Sequence, residues 1–317
     1  MNGNPSRTRE VHAATRAALR LHAGMRRLWR SERRLLVVHA RPSASRGGAE
    51  LNLDLSLADP PPPWRVEIVA PDADPDIKPY DAIVIANIRP PGGAGERAEY
   101  QWAETWTRRL ERFGGIVIRS EHDIHPCAMR DGRCIGGDPL RRDPCSCGRA
   151  ITNAFQNLFD RADAVRTLSP GHREVIGKLV AVRGREYVIA SPVDFTAFAP
   201  RTPVTERAPV ALAFADAVRH TDEQARELAR QAGLALEVVP YLSVPQSQMP
   251  ALLNSVRAVV MAPVAYHAFG RLAVEALACG CQVLTNGRVG AFTWPDPVAA
   301  ARRARSDFWA MIQEMCP

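Results

Sequence analysis

The 317-residue chain contains no run of 18 or more apolar residues, so no segment reads as a membrane-spanning helix. Its first residues lack the unbroken apolar core of a secretory signal, because arginine interrupts them every few positions. Together these absences make the cytoplasm the expected compartment, with attachment to an inner membrane surface left open. No internal repeat and no low-complexity domain occurs, and Pro60–Pro63 is only a short spacer. An even cysteine framework is missing as well. The seven cysteines are an odd number, and Cys127, Cys134, Cys145 and Cys147 crowd into one stretch, which argues against a secreted disulfide scaffold. Beyond residue 34 the sequence carries no net charge, with 32 basic and 32 acidic residues.

The whole +7 excess therefore sits on residues 1–34, which hold nine arginines against Glu10 and Glu32. From Val11 to Trp29 this arm has helical spacing, with Val11, Ala14, Ala18, Leu21, Met25 and Leu28 near one face. A basic amphipathic helix suits an anionic membrane surface or nucleic-acid phosphates, and equally a surface helix packed on the body.

With 46% apolar and 24% charged residues, the chain has the composition of a soluble globular protein. Its length suggests two domains of about 150 residues each. Short β-rich runs alternate with helical stretches. Strands are expected at Leu35–Ala40, Val66–Ala70, Ala82–Ile88, Gly115–Ser120 and Ala164–Leu168, then at Tyr187–Ala190, Val210–Ala215, Leu236–Val239, Ala258–Ala262 and Gln282–Thr285. Helices are expected at Ala49–Leu57, Glu99–Phe113, Ile151–Arg161, Thr221–Ala232 and Arg271–Ala278. That alternation implies an α/β protein with parallel sheets covered on both faces. The proline-rich "APRTPVTERAP" (199–209) reads as a linker. The expected layout is a basic arm (1–34), an N-terminal Rossmann-like domain (35–190) with a cysteine-rich insertion (121–149), a linker (191–209), a C-terminal Rossmann-like domain (210–297) and a terminal helix (298–317). Ligands of such sheets bind beyond the carboxyl ends of the strands, here the cleft between the domains.

Within "HAFGRLAVEALACGCQVLTNGRVGA" (267–291), Gly270 stands between an expected strand and an expected helix. A helix start presents unpaired N–H groups and partial positive charge to an anion, and glycine lets the backbone come close. Arg271 at the first helical position adds a guanidinium suited to phosphate. Glu275, one turn on, can accept two hydrogen bonds from a ribose diol. Phosphate at the helix mouth with ribose one turn along amounts to a nucleoside diphosphate site. By spacing alone, an ordinary turn followed by a partly exposed glutamate fits equally well.

This stretch resembles the donor-site signature of the retaining GT-B glycosyltransferases of group 4. Phe269, Gly270, Glu275, Ala276, Ala278 and Gly280 match its pattern. The resemblance runs in order through "SRGGAEL" (45–51), "SEHDIHPC" (120–127), "TLSPGHREVI" (167–176), "IASPVDFTAFAP" (189–200) and "QMPALLNSVRAVVMAP" (248–263). It implies GT-B architecture, two Rossmann-like parallel-sheet domains facing a cleft, and transfer of a sugar from a nucleotide sugar to an acceptor hydroxyl with retention. It also implies donor binding by Gly47, Gly48, Phe269, Gly270, Arg271, Leu272 and Glu275, with His122 leaning over the sugar, Asp123 beside it, and no catalytic divalent metal.

Three departures qualify it. His267 stands where the family has a glutamate that contacts the sugar, no basic clamp follows Val210–Ala215 except the out-of-pattern Arg219, and the C-terminal half is short of one β-α unit. Asp123 could also serve as the base of an inverting enzyme. "DAD" (72–74) mimics a metal-binding acidic pair but lies in a Pro/Asp turn.

The spacing C-x6-C-x10-C-x-C, in a loop too polar to build a core, suits a structural Zn2+ held by Cys127, Cys134, Cys145 and Cys147. Free thiols and an iron–sulfur centre are the alternatives. Cys279 and Cys281 read as packing residues. The acceptor is open among a glycan, a lipid-linked molecule and a modified DNA base. A non-catalytic nucleic-acid-binding protein is the reading outside enzymes, with the neutral body against it.

Overall fold

The computed structural model describes residues 31–40, 48–86, 95–126, 149–215, 222–240, 243–264 and 266–317. The basic helix expected at 11–29, Gly47, Arg219 and the four clustered cysteines lie outside the described residues.

The first lobe holds six strands: β1 (Arg33–Val38), β2 (Trp64–Val69), β3 (Ala82–Ile85), β4 (Ile116–Ser120), β5 (Ala164–Thr167) and β6 (Arg185–Val188). They form one parallel sheet in the order β2-β1-β3-β4-β5-β6. The central β3, Ala-Ile-Val-Ile, is buried at every position, as an apolar run covered by helices on both faces must be, and β5 is buried throughout although it carries Arg166 and Thr167. Helices α1 (Gly48–Leu57), α2 (Gly95–Leu110), α3 (Arg149–Arg161) and α4 (Pro170–Leu179) supply the cover. The second lobe has β7 (Ala208–Ala215), β8 (Ala235–Pro240), β9 (Val256–Met261) and β10 (Gln282–Thr285), parallel in the order β10-β9-β7-β8. Its helices are α5 (Asp222–Gln231), α6 (Met249–Ser255) and α7 (Arg271–Ala278).

Every expected strand is present, most beginning a residue or two earlier than the apolar run suggests. The strand expected at 187–190 pairs with β5 and closes the edge of the first sheet. Helix α4 is not among the helices expected from periodicity. In the fold, Ser169 caps it, its side chain accepting from the His172 N–H, with Pro170 in the first turn.

The segment 191–207 contains one 3-10 turn, Val204–Glu206, and no other helix or strand. It is anchored on the second lobe by Arg207, which is buried and donates to the carbonyls of Thr202 and Cys279 (2.7 Å each). Cys279 and Cys281 are buried there, and burial pushes the Cys279 thiol up to about 11, so both behave as packing residues. The last helix, α8 (Pro297–Met315), packs on the first lobe as well as on α7. Arg305 pairs with Asp59 at 3.1 Å, Arg185 with Glu314 at 2.7 Å, and Trp309 meets Trp64 with ring centroids 6.4 Å apart. The chain thus returns across the interlobe seam and ties the lobes from behind.

Candidate functional site

The site forms where loops leaving the carboxyl ends of the two sheets meet. On the second lobe, the loop after β9 leads into α7 through Gly270, whose φ of 78° and ψ of 59° are left-handed. An added Cβ would overlap Val289 Cγ1, so glycine is required here twice over, by dihedral and by space. No side chain caps α7 at Gly270. The helix start therefore offers its first N–H groups and its positive dipole end to whatever lies at its mouth. The loop is held from both sides. His267 pairs with Val289 through backbone bonds to Arg288 and Gly290, and Ala291 donates to the Phe269 carbonyl at 2.7 Å.

Glu275 does not face solvent: it is 3% exposed. Its Oε1 accepts from Arg271 Nε at 2.6 Å and from Gln246 Nε2 at 3.3 Å, so both contacts fall on one oxygen. Arg271 was expected at the helix mouth. Instead its guanidinium turns back along α7, donating to Glu275 and, through Nη1, to the Pro192 carbonyl at 2.9 Å. The four-residue spacing puts the pair on one helix face, and burial rewards the contact. Phe269 lies in the core, and Leu272 is half-buried against it.

On the first lobe, His122 follows β4 and is buried. Its Nε2 lies 2.9 Å from Ser120 Oγ and its Nδ1 lies 3.2 Å from Asn52 Nδ2. Burial first, then the Arg166 guanidinium and His39, push its pKa well below the ordinary value. Asp123 is half-buried, and its carbonyl accepts from His172 Nε2 at 2.9 Å. His172 Nδ1 accepts from the Leu168 N–H at 3.2 Å, which assigns its proton to Nε2, and burial lowers its pKa too. Beside them Glu121 has no exposed surface and is held by Arg119 on Oε2 and by His125 on Oε1. Burial raises its pKa, but these two partners outweigh that and bring it down to about 2. Gly48 is exposed, with open space where a Cβ would sit, so its contacts make no demand for glycine.

The α4 cap joins the two lobes. Ser169 Oγ donates to the Ala268 carbonyl at 2.8 Å, two residues before Gly270. The Gly171 N–H donates to Thr293 Oγ1 at 3.0 Å, and Trp294 Nε1 to the Leu168 carbonyl at 3.2 Å. A Cβ on Gly171 would strike the Tyr266 hydroxyl, and one on Gly290 would strike Ser169 Oγ as well as the Ala268 carbonyl of its own lobe. Two glycines thus let the lobes touch. Through His172, Ser169 and Ala268, the His122–Asp123 segment is connected to the start of α7 by a short series of hydrogen bonds. Asn52, Arg166 and Gln246 belong to no motif, and nothing in their spacing marks them. Ser169–Pro170 does carry a signal, that of a helix cap followed by proline.

Among the described residues no group of three or more His, Cys, Asp or Glu is arranged to hold a metal ion. Asp74 of the acidic "DAD" pairs with Arg109 at 2.8 Å, and the Ala73 N–H closes a turn on the Ala70 carbonyl. A cleft of about 440 Å3 between that turn and α2, lined by Pro71, Asp72, Trp102 and Arg108, contains none of the candidate site residues. No helix among the described residues is long and apolar enough to cross a membrane.

No family model matches the chain, and no curated protein matches it by sequence. Solved structures do. A sucrose-phosphate synthase from Thermosynechococcus elongatus superposes with a TM-score of 0.54 at 15% identity, over 90% of this chain and 95% of that one. Anabaena HepE in complex with UDP and glucose gives 0.52 at 14%, over 90% and 96%. The catalytic domain of Starch Synthase IV from Arabidopsis thaliana, bound to ADP and acarbose, gives 0.52 at 11%, over 90% and 95%. At such identities the likeness is one of fold, and the fold is GT-B: two Rossmann-like parallel-sheet lobes with the candidate site at their junction.

Proposed function

We propose that the chain is a glycosyltransferase that moves a sugar from a nucleotide sugar to an acceptor hydroxyl with retention. The observation that carries this reading is the start of α7. An uncapped helix begins at a left-handed glycine, and one turn along it a buried carboxylate has both its described contacts on one oxygen. In this reading the diphosphate lies on the N–H groups near Gly270–Leu272, and Glu275 Oε2 accepts from the ribose diol. Negative charge develops on the leaving phosphate, where fixed dipoles stabilise it most. Arg271 takes part by leaving Glu275 and Pro192 for the phosphate, or stays and orients Glu275. Gly47, Gly48 and Arg219 complete the donor site in this reading, and His122, Asp123 and His267 face the sugar. That neighbours of the same fold carry UDP with glucose, and ADP, supports a nucleoside diphosphate as the common handle.

The test is a thermal-shift series with UDP, ADP and UDP-glucose on the wild type and Glu275→Gln. Glutamine keeps the shape and leaves Arg271 an oxygen partner, so folding is perturbed little. A nucleotide present at 100 times its Kd stabilises by about 2.7 kcal/mol, and Glu275→Gln is expected to lose most of that. If none of the three shifts the wild type, or the variant responds equally, the donor-site assignment fails.

Two attributes extend the reading. The basic arm 1–34 is proposed to carry the enzyme to an anionic acceptor surface, a lipid-linked acceptor or a modified DNA base. Deleting it and measuring vesicle and DNA binding against salt separates these. Cys127, Cys134, Cys145 and Cys147 are proposed to hold a structural Zn2+, for which metal analysis of the purified protein should find about one equivalent.

A further inference from the structure

We propose that Arg166 and Asn52 are positioning residues that fix His122 as a neutral imidazole protonated only on Nε2. It then meets a donor sugar through the carbon edge of its ring and transfers no proton. The place of His122 beside a donor rests on the reading above; its protonation rests on contacts inside the first lobe.

The assignment starts from the group that has no choice. A guanidinium donates at every nitrogen and accepts nowhere. Arg166 Nη2 lies 3.2 Å from one terminal atom of the Asn52 amide, which must therefore be the carbonyl oxygen. Ser56 Oγ bonds the same atom at 3.2 Å. The amide nitrogen of Asn52 then faces His122 Nδ1 at 3.2 Å. An amide nitrogen only donates, so Nδ1 presents its lone pair. The proton of the neutral ring is on Nε2, which donates to Ser120 Oγ at 2.9 Å. That hydroxyl also accepts from Arg166 Nη1 at 3.4 Å. One cation thus dictates the ring from both ends.

Arg166 is itself buried and held by several contacts. It has no exposed surface, donates to the Ala190 carbonyl at 3.0 Å, and lies over the Phe308 ring of α8 at 5.1 Å. Asn52, Ser56 and Ser120 are buried with it. The charged and titratable groups facing His122 come from several elements: Arg166 on β5, Arg119 on β4, His39 after β1, and His125 beyond the β4 end. Of the nearby acids, Glu121 is taken up by Arg119 and His125, and Glu50 faces His39 at 3.9 Å. A second proton on His122 would place a cation in a buried site beside two guanidinium groups, and among the described residues the ring's hydrogen bonds go to Asn52 and Ser120, not to a carboxylate. Both nitrogens being filled, the ring can neither take a proton from an acceptor hydroxyl nor give one to a leaving group. In the glycosyltransferase reading it serves as a rigid neutral wall.

Histidine-selective 15N NMR of the full chain reads this directly. The wild type should show Nδ1 unprotonated and Nε2 protonated at His122, unchanged from about pH 8 to about pH 5.5. Asn52→Asp, equal in shape, turns the donor facing Nδ1 into an acceptor. It should bring a proton onto Nδ1 and raise the titration midpoint of His122 by at least about one pH unit. Arg166→Met, where it folds, should give a mixture of tautomers, because the Asn52 amide is then free to rotate. An Nδ1–H ring in the wild type, a titration at the ordinary histidine value, or an Asn52→Asp spectrum identical to wild type would each overturn the proposal. UDP added to the same samples keeps the two readings apart. A wild type that ignores UDP, and ADP and UDP-glucose in the same series, sinks the nucleotide site and leaves the tautomer result to stand or fall on its own spectra.

Discussion

In and just beyond the last residues of β4 and β5 the first lobe buries Arg119, Glu121, His122, His125, Arg166 and His172, while the facing part of the second lobe buries Arg271 with Glu275. The two groups use their charge differently. In the first lobe each carboxylate oxygen of Glu121 has a partner of its own, and Arg166 ties three residues and a ring together. Such charges are part of the scaffold. In the second lobe Glu275 takes both contacts on Oε1, and Arg271 holds a carbonyl of the interlobe segment. That pair lies in the first turn of an uncapped helix, and in the proposed reading a phosphate would compete for Arg271.

The largest effect should follow from breaking the scaffold charges. Glu121→Ala leaves Arg119 buried without its carboxylate and is expected to cost about 3–5 kcal/mol, read by chemical denaturation. A cost below about 1 kcal/mol would mean that the first lobe does not depend on that pair. Next comes the second lobe's backbone. Gly270→Ala forces a side chain into a left-handed residue against Val289 and should cost about 1–3 kcal/mol while abolishing any nucleotide-induced thermal shift. An alanine variant of full stability that still responds to UDP would remove the reason given for this glycine.

Acid should separate the lobes further. His122 and His172 have depressed values, so as pH falls below 6.5 the unfolded chain binds protons that the native state refuses, and stability declines. Glu121, at about 2 instead of 4.5, adds a second loss as pH falls from the upper value toward the lower. Both losses belong to the first lobe, so hydrogen exchange at about pH 5 should show its strands opening more than those of the second. The smallest effect is expected behind the seam. The Arg305–Asp59 pair is 43% and 92% exposed, and Arg305→Ala should change stability by less than about 0.5 kcal/mol.

Much of this organisation could be read from residue order. Alternation of apolar strands with helices gave ten strands in two parallel sheets, and Gly270 and Glu275 were placed by spacing within one short segment. The partners of those residues were out of reach. Arg271 meets Pro192, Ser169 meets Ala268, and Arg166 meets Asn52, pairs separated by 79, 99 and 114 positions. Helix α4 was hidden by Pro170–Gly171, because a proline that ends most helices begins this one once Ser169 caps it. The position of α8 was equally silent, since its apolar spacing fits either lobe.

What the sequence determined alone is therefore local: strand and helix periods, a glycine between a strand and a helix, and the carboxylate one turn into that helix. These depend on a few neighbouring residues and on backbone stereochemistry. Which way Arg271 turns, which nitrogen of His122 carries the proton, and how closely the lobes touch were decided only by the tertiary structure. Donors, acceptors and close contacts are assigned by atoms that lie within 3.5 Å in space, and the chain brings those atoms together from distant positions only when both lobes have folded.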